Sequence, residues 1–139
     1  MYRKTGSGSW SKLKTVTATS YTDTKASAGK SYQYMVKAVK GDYTSYYKAA
    51  SIRFLKAPGS VKLTKATKGF KVSWSKVTGA TKYEVYRKTG NGSYTKIATT
   101  TKTAYTDTKA AKGKYYTYRV RAVYSSYKSE FKTGSKTKR

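Results

Sequence analysis

Apolar and polar residues alternate one by one along most of this chain. Tyr32, Tyr34, Val36 and Ala38 alternate with Gln33, Met35, Lys37 and Val39. Phe70, Val72 and Trp74 alternate with Lys71, Ser73 and Ser75, and Val61 and Leu63 alternate with lysines. A period of two sends successive side chains to opposite faces, so each run predicts a half-buried strand. No stretch carries a convincing 3.6-residue apolar period, so no helix is predicted. Turn residues separate the runs. Thr5-Gly6-Ser7-Gly8-Ser9 and Thr89-Gly90-Asn91-Gly92-Ser93 tolerate positive φ and suit tight hairpins. Ser27 to Lys30, Gly41-Asp42 and Thr78 to Ala80 read as further turns. Trp10 to Val16 is predicted to continue as a strand, Tyr21 to Lys25 to begin the next, and Tyr46 to Phe54 to form another. Turns spaced about 8–12 residues apart between short strands predict an antiparallel sandwich.

The pattern occurs twice. Tyr2-Arg3-Lys4-Thr5-Gly6 recurs as Tyr86-Arg87-Lys88-Thr89-Gly90, 84 residues later. Tyr21-Thr22-Asp23-Thr24-Lys25 and Tyr105-Thr106-Asp107-Thr108-Lys109 keep the same offset, as do Tyr32 to Val39 and Tyr116 to Val123. That period is too long for a solenoid unit and suits a small all-β domain. The first copy lacks a counterpart of residues 57–84. Residues 1–56 are therefore expected to be a partial repeat, holding the later strands only, and 57–139 a complete one. Ala57-Pro58-Gly59 marks the boundary, because Pro58 has no N–H to give a ladder. Without front strands, Trp10, Leu13, Tyr32, Tyr34, Val36 and Ala38 are predicted to present a contiguous apolar face. Such a face, with open strand edges, invites a homo-oligomer or filament by strand addition or exchange; the alternative outcome is that 1–56 stays loosely ordered while 57–139 folds alone. The basic tail Lys132 to Arg139 has no apolar partner in the pattern and is expected to be frayed.

Composition narrows the chemistry. The absence of cysteine excludes disulfides, thiolate metal sites and a cysteine nucleophile, and the absence of histidine removes the commonest general base. No cofactor and no metal are expected. The acids are only Asp23, Asp42, Glu84, Asp107 and Glu130. Neither Asp107 with Glu130 nor Glu84 with Asp107 is placed by the pattern in a glycosidase-like cleft, so no enzyme activity is expected. Asp23 and Asp107 read as residues that order a local turn. The glycine loops precede strands, whereas phosphate-cradling loops precede helices. Thirty-one Lys and Arg give a formal charge of +26, which favours polyanions in a salt-dependent way. No apolar run is long enough to span a bilayer, and no signal peptide is visible.

At Ala57-Pro58, Trp74, Tyr83-Glu84-Val85-Tyr86 and Tyr116-x-Tyr118-x-Val120-x-Ala122-Val123 the sequence resembles a fibronectin type III domain. It is most similar to the divergent kind repeated in cell-surface proteins of Gram-positive bacteria. The resemblance implies an all-β fold, an antiparallel β-sandwich of fibronectin type III (immunoglobulin-like) type. It implies that Ala57-Pro58 opens the first strand and that Trp74 anchors the core. It also implies that Tyr32 and Tyr116, entering the sixth strand, pack and bond near the preceding turn. Ala110-Ala111-Lys112-Gly113 departs from the leucine and proline usual in that turn. Lys40-Gly41-Asp42 falls where animal relatives can carry an Arg-Gly-Asp integrin motif, but a three-residue match in a Lys/Gly-rich chain is common by chance.

Trp74, Tyr83, Val85, Tyr116, Tyr118 and Val120 alternate within strands and read as core. The aromatic candidates for a binding surface are Tyr43, Tyr46, Tyr47, Tyr86, Tyr115, Tyr124 and Tyr127, with Arg87, Arg119 and Arg121 as basic neighbours. Such rings stack on sugars or bases, and cations strengthen the contact. The expected function is a non-catalytic, extracellular or cell wall-associated repeat module, a spacer or adhesive segment of a bacterial surface protein. Its expected partners are anionic cell-wall polymer or glycan, or another copy of itself. Nucleic-acid binding through backbone charge, and an accessory role beside a carbohydrate-active enzyme, are the alternatives.

Overall fold

A computed structural model describes residues 1–139, the side chain of Lys48 excepted. It is all β, in two compact units, Met1–Phe54 and Leu55–Arg139.

The first unit is built on one antiparallel sheet. Its strands are β1 (Tyr2–Thr5), β2 (Ser11–Lys12), β3 (Ser31–Val36) and β6 (Lys48–Arg53), in the order β2-β1-β3-β6. A two-residue ladder of β4 (Val39–Lys40) and β5 (Tyr43–Thr44) closes the turn between β3 and β6 around Gly41, at φ 58°. Two expected strands are corrected here. Of Trp10 to Val16, only Ser11 and Lys12 pair with β1. Tyr21 to Lys25 forms no strand at all.

The second unit supplies the physical reason. It contains β7 (Val61–Lys65), β8 (Phe70–Trp74), β9 (Lys82–Thr89), β10 (Thr95–Thr100), β11 (Ala104–Asp107) and β12 (Tyr115–Tyr124). β13 (Tyr127–Lys128), β14 (Lys132–Thr133) and β15 (Thr137–Lys138) follow, all pairing with β12. One sheet runs β11-β8-β7 and the other β10-β9-β12. β11 pairs only with β8, with Asp107 opposite Phe70. Nothing in the first unit corresponds to β8, so Tyr21 to Lys25 has no ladder to join.

The core of the second unit lies where the inner faces of its sheets meet. Phe70, Val72 and Trp74 face Tyr83, Val85, Tyr116, Tyr118, Val120 and Ala122. The rings meet edge-on, Trp74 to Tyr83 at 5.5 Å and Phe70 to Tyr118 at 6.2 Å. That is the geometry ring quadrupoles favour, and each fully buried side chain of this size stabilises by roughly 1.5–3 kcal/mol. The tyrosines that enter β3 and β12 bond back to the preceding turns: Ser27 N–H donates to the Tyr32 hydroxyl at 2.7 Å and Ala111 N–H to that of Tyr116 at 2.9 Å.

The first unit has only one of these two layers. Val36, 84 residues before the fully buried Val120, is 54% exposed, and Ile52 is 49% exposed. The open face is narrower than the alternation predicts. Tyr32 is buried and Trp10, Leu13 and Tyr34 are half-buried, leaving Val36 and Ala38 in the open. Residues 15–20 run beside Val36 to Val39 and enclose a groove of about 580 Å³.

The basic tail is not frayed. Thr133 pairs with Arg119 and Lys138 with Tyr115, and Arg139 N–H donates to Lys114 C=O at 3.0 Å. A ladder uses backbone N–H and C=O groups, so lysine and threonine serve as well as apolar residues.

Candidate functional site

The acid in Tyr-Thr-Asp-Thr-Lys holds the second unit's two sheets together. Asp107, at the end of β11, is 2% exposed. Its carboxylate accepts from Arg87 Nη1 at 3.0 and 3.2 Å, the Tyr118 hydroxyl at 2.7 Å and Lys109 N–H at 3.1 Å. The first unit repeats the arrangement at Asp23, with Arg3 Nη1 at 2.8 Å, the Tyr34 hydroxyl at 2.8 Å and Lys25 N–H at 3.0 Å. Burial would raise the Asp23 carboxyl, but Tyr34, Arg3 and Lys25 outweigh it and hold it below the usual range. Burial, then Asp23, pushes the Tyr34 hydroxyl up to about 12, and Tyr118 is driven higher by the same causes. Both aspartates do order the following turn, as expected. Arg87, expected on the surface as a ligand contact, is instead half-buried and committed to Asp107.

Glu84 gathers a second network on the opposite, outer face of the sheet. Arg121 Nε donates to its Oε2 at 2.7 Å, and the Lys96 and Lys128 ammoniums stand 3.7 and 3.8 Å from Oε1. The Tyr86 hydroxyl donates to Oε2 at 3.2 Å. Burial opposes ionisation of Glu84, but Arg121 and then the two lysines hold its pKa down. Arg121 is thus also corrected: it is half-buried and its charge is answered. Three cations surround this one acid, so the neighbourhood remains positive.

Arg119 lies on the same outer face, between the inward Tyr118 and Val120. Its guanidinium carbon sits 4.1 Å from the ring centre of Tyr94, 4.0 Å from Phe131 and 5.2 Å from Tyr86. Phe131 meets Tyr86 edge-on at 5.1 Å. Tyr94 precedes β10 and Phe131 precedes β14, so three strand segments build the slot. Arg119 Nε is buried without a partner, and among the described residues no hydrogen bond or ion pair reaches this guanidinium. Lys88 Nζ stands 5.3 Å from the Tyr94 ring. Four residues back along the same strand face, exposed Tyr115 has Lys136 and Lys138 over its ring at 5.4 and 5.8 Å.

The candidate residues therefore do not form one site. Tyr86, Arg119 and Arg121 come together, and Tyr115 lies on the same sheet face. Tyr124 and Tyr127 pair across a tight turn at Ser125, φ 50°, and are half-buried. Tyr43, Tyr46 and Tyr47 are exposed in the first unit. The residues missed by sequence are Tyr94 and Phe131. The position of Arg119 also has a first-unit counterpart, Met35, which is buried at 5% exposure. The alternation had placed Met35 on the polar side of β3.

Among the described residues, no group of acids is arranged to hold a metal ion, and no helix is long and apolar enough to cross a membrane.

Two facing antiparallel sheets with tyrosines bonded back to their turns define a fibronectin type III-like module. A family model for PBP1-like, fibronectin3-like domains matches residues 60–132, and the chain belongs to that family. No curated protein matches the chain. Among solved structures, FN3tt mut is 25% identical with a TM-score of 0.54, covering 60% of this chain and 94% of its own. A two-domain fibronectin type III segment of chicken tenascin is 22% identical, with a TM-score of 0.58, covering 98% of this chain and 82% of the other. A Fn3-like protein from Clostridium thermocellum is 33% identical over 58% of this chain and 94% of the other, with a TM-score of 0.46.

Proposed function

We propose that this chain is a non-catalytic spacer module of a bacterial surface protein that adheres to anionic cell-wall polymer. The observation that supports this reading is how the acids are used. Asp23, Asp107 and Glu84 are each enclosed by cations or donors within the fold. That leaves Asp42 and Glu130 as exposed acids against a formal charge of +26. A surface so one-sided concentrates polyanions around it. The same accounting supports the absence of catalysis, since each enclosed carboxylate is committed to an arginine of the fold.

Titration of the full chain with a glycerol-phosphate polymer tests the reading. Affinity should fall steeply as salt rises, and neutral glycans should not compete. Binding that persists at high salt, or selects one neutral sugar, would overturn it and favour the carbohydrate-enzyme accessory role. The open face of the first unit supports a second reading, self-association, because Val36 and Ile52 remain half-exposed on it.

A further inference from the structure

We infer that Arg119 is the contact through which the second unit takes the phosphodiester groups of a base-free anionic polymer, a deeper statement that rests on the polyanion reading above. An arginine carries five N–H donors in a planar fork that matches phosphate oxygens two at a time. Elsewhere in this fold each fork gives at least one donor to another group of the protein, Arg53 through Nη1 to the Ser31 hydroxyl at 3.2 Å. Arg3, Arg87 and Arg121 give theirs to carboxylates, and Arg139 gives Nη2 to the carbonyls of Ala66 and Thr67 at 3.2 Å. Arg119 gives its donors to no described residue. It is nevertheless fixed, with its guanidinium carbon 4.1 Å from the centre of one ring and 4.0 Å from that of another. A donor already held in place loses little freedom when a ligand arrives.

The internal repeat supplies a control for packing. The equivalent position in the first unit holds Met35, buried on the same kind of sheet face. An unbranched apolar side chain therefore fills this position, and packing alone does not call for a cation. Nor does charge balance call for one, because Glu84 already has Arg121, Lys96 and Lys128. An anion arriving at Arg119 meets Lys88 beside Tyr94 and a further cation–aromatic group at Tyr115, roughly 13 Å along β12 at strand rise. A polymer with repeating phosphodiesters can touch both. The rings that frame the slot already face the guanidinium, and Phe131 and Tyr86 face each other, so they leave no platform for a stacked base. That separates a polyol phosphate from single-stranded nucleic acid.

The test compares full-length variants by calorimetric titration with a glycerol-phosphate oligomer, alongside single-stranded DNA of equal phosphate number. Arg119→Met copies the residue of the first unit, and Lys71→Gln removes one charge from β8 on the other sheet. Arg119→Met should weaken oligomer binding at least tenfold and Lys71→Gln less than twofold, with urea midpoints close to that of the parent. Phe131→Leu keeps every charge and should still weaken binding several-fold, because it loosens the slot. Equal losses for Arg119→Met and Lys71→Gln would overturn the inference and leave the polyanion reading standing, whereas no binding by the parent chain would remove both. DNA bound as tightly as the oligomer, and weakened equally by Arg119→Met, would overturn the preference for a base-free polymer.

Discussion

Asp107 has three kinds of donor around one carboxylate, drawn from β9, β12 and the turn after β11. Removing it strands Arg87 and the Tyr118 hydroxyl in a nearly closed site. Asp107→Ala should cost roughly 3 kcal/mol, read as a lower urea midpoint of the full chain. Asp23→Ala should cost less, roughly 1–2 kcal/mol, because Tyr34 keeps partial access to water and can hydrate. The pH dependence follows from the same groups. Asp23 and Glu84 bind protons less readily when folded, so their stabilisation is present above the ordinary carboxylate range near 4 and is lost as pH falls through and below it. Tyr34 holds its proton up to about 12, so its contribution is intact below the ordinary phenol value of about 10 and is lost between there and about 12. The melting temperature should therefore be flat from roughly pH 5 to 9 and fall at both ends. Glu84→Gln should flatten part of the acid limb.

At the scale of elements, Gly134 shows how the tail strand is fitted. A Cβ there would lie 2.9 Å from Val61 C=O and 3.0 Å from Leu63 Cδ1, so β7 passes directly over it. The matching residue in the first unit is Ala50, where no such strand passes. Gly134→Ala should lower stability by roughly 1–3 kcal/mol, while Ala50→Gly should cost under about 1 kcal/mol, both measured by thermal unfolding. This contrast also explains what sequence could and could not disclose. The inner face of β8, β9 and β12 was legible because burial imposes strict alternation on Phe70, Val72, Trp74, Tyr83, Val85, Tyr118 and Val120. The tail strand was not legible by alternation, since an edge ladder accepts lysine and threonine. The 84-residue offset did carry the signal, as it maps Lys132 to Lys138 onto Lys48 to Phe54. The slot around Arg119 depends on cross-strand register among three strands. Alternation fixes which face a residue takes and says nothing about which ring stands beside it.

Over the whole molecule, the first unit's open sheet and the chain's charge pull in opposite directions. Val36, Ala38 and Ile52 gain by leaving water, and a surface at +26 repels its own copies. Salt screens the repulsion and leaves the apolar term, so self-association should strengthen as ionic strength rises, the reverse of polymer binding. Light scattering at low and high salt checks this. A strict monomer at high salt, with uniform hydrogen-exchange protection of residues 1–54, would overturn the self-association reading. Val36→Lys should abolish any association seen.

The shared register of the two units bears on how the chain finds its fold. Tyr2 stands opposite Met35 as Tyr86 stands opposite Arg119, and Thr5 opposite Tyr32 as Thr89 opposite Tyr116. β3 therefore meets two acceptable partners while the chain is still searching, and β9 would bring Glu84 within reach of Lys37 and Arg87 within reach of Asp23. The correct pairing closes its loop at Thr5 and Tyr32, 27 residues apart, and the crossed one at Met35 and Tyr86, 51 apart. Loop entropy separates them by only about 0.6 kcal/mol. Local contacts barely discriminate, so the choice falls to β7 and β8, which follow the first unit in sequence and cover only the strands that belong to the second. Until that layer docks, the chain is open to exchange between repeats, a recognised hazard of tandem domains.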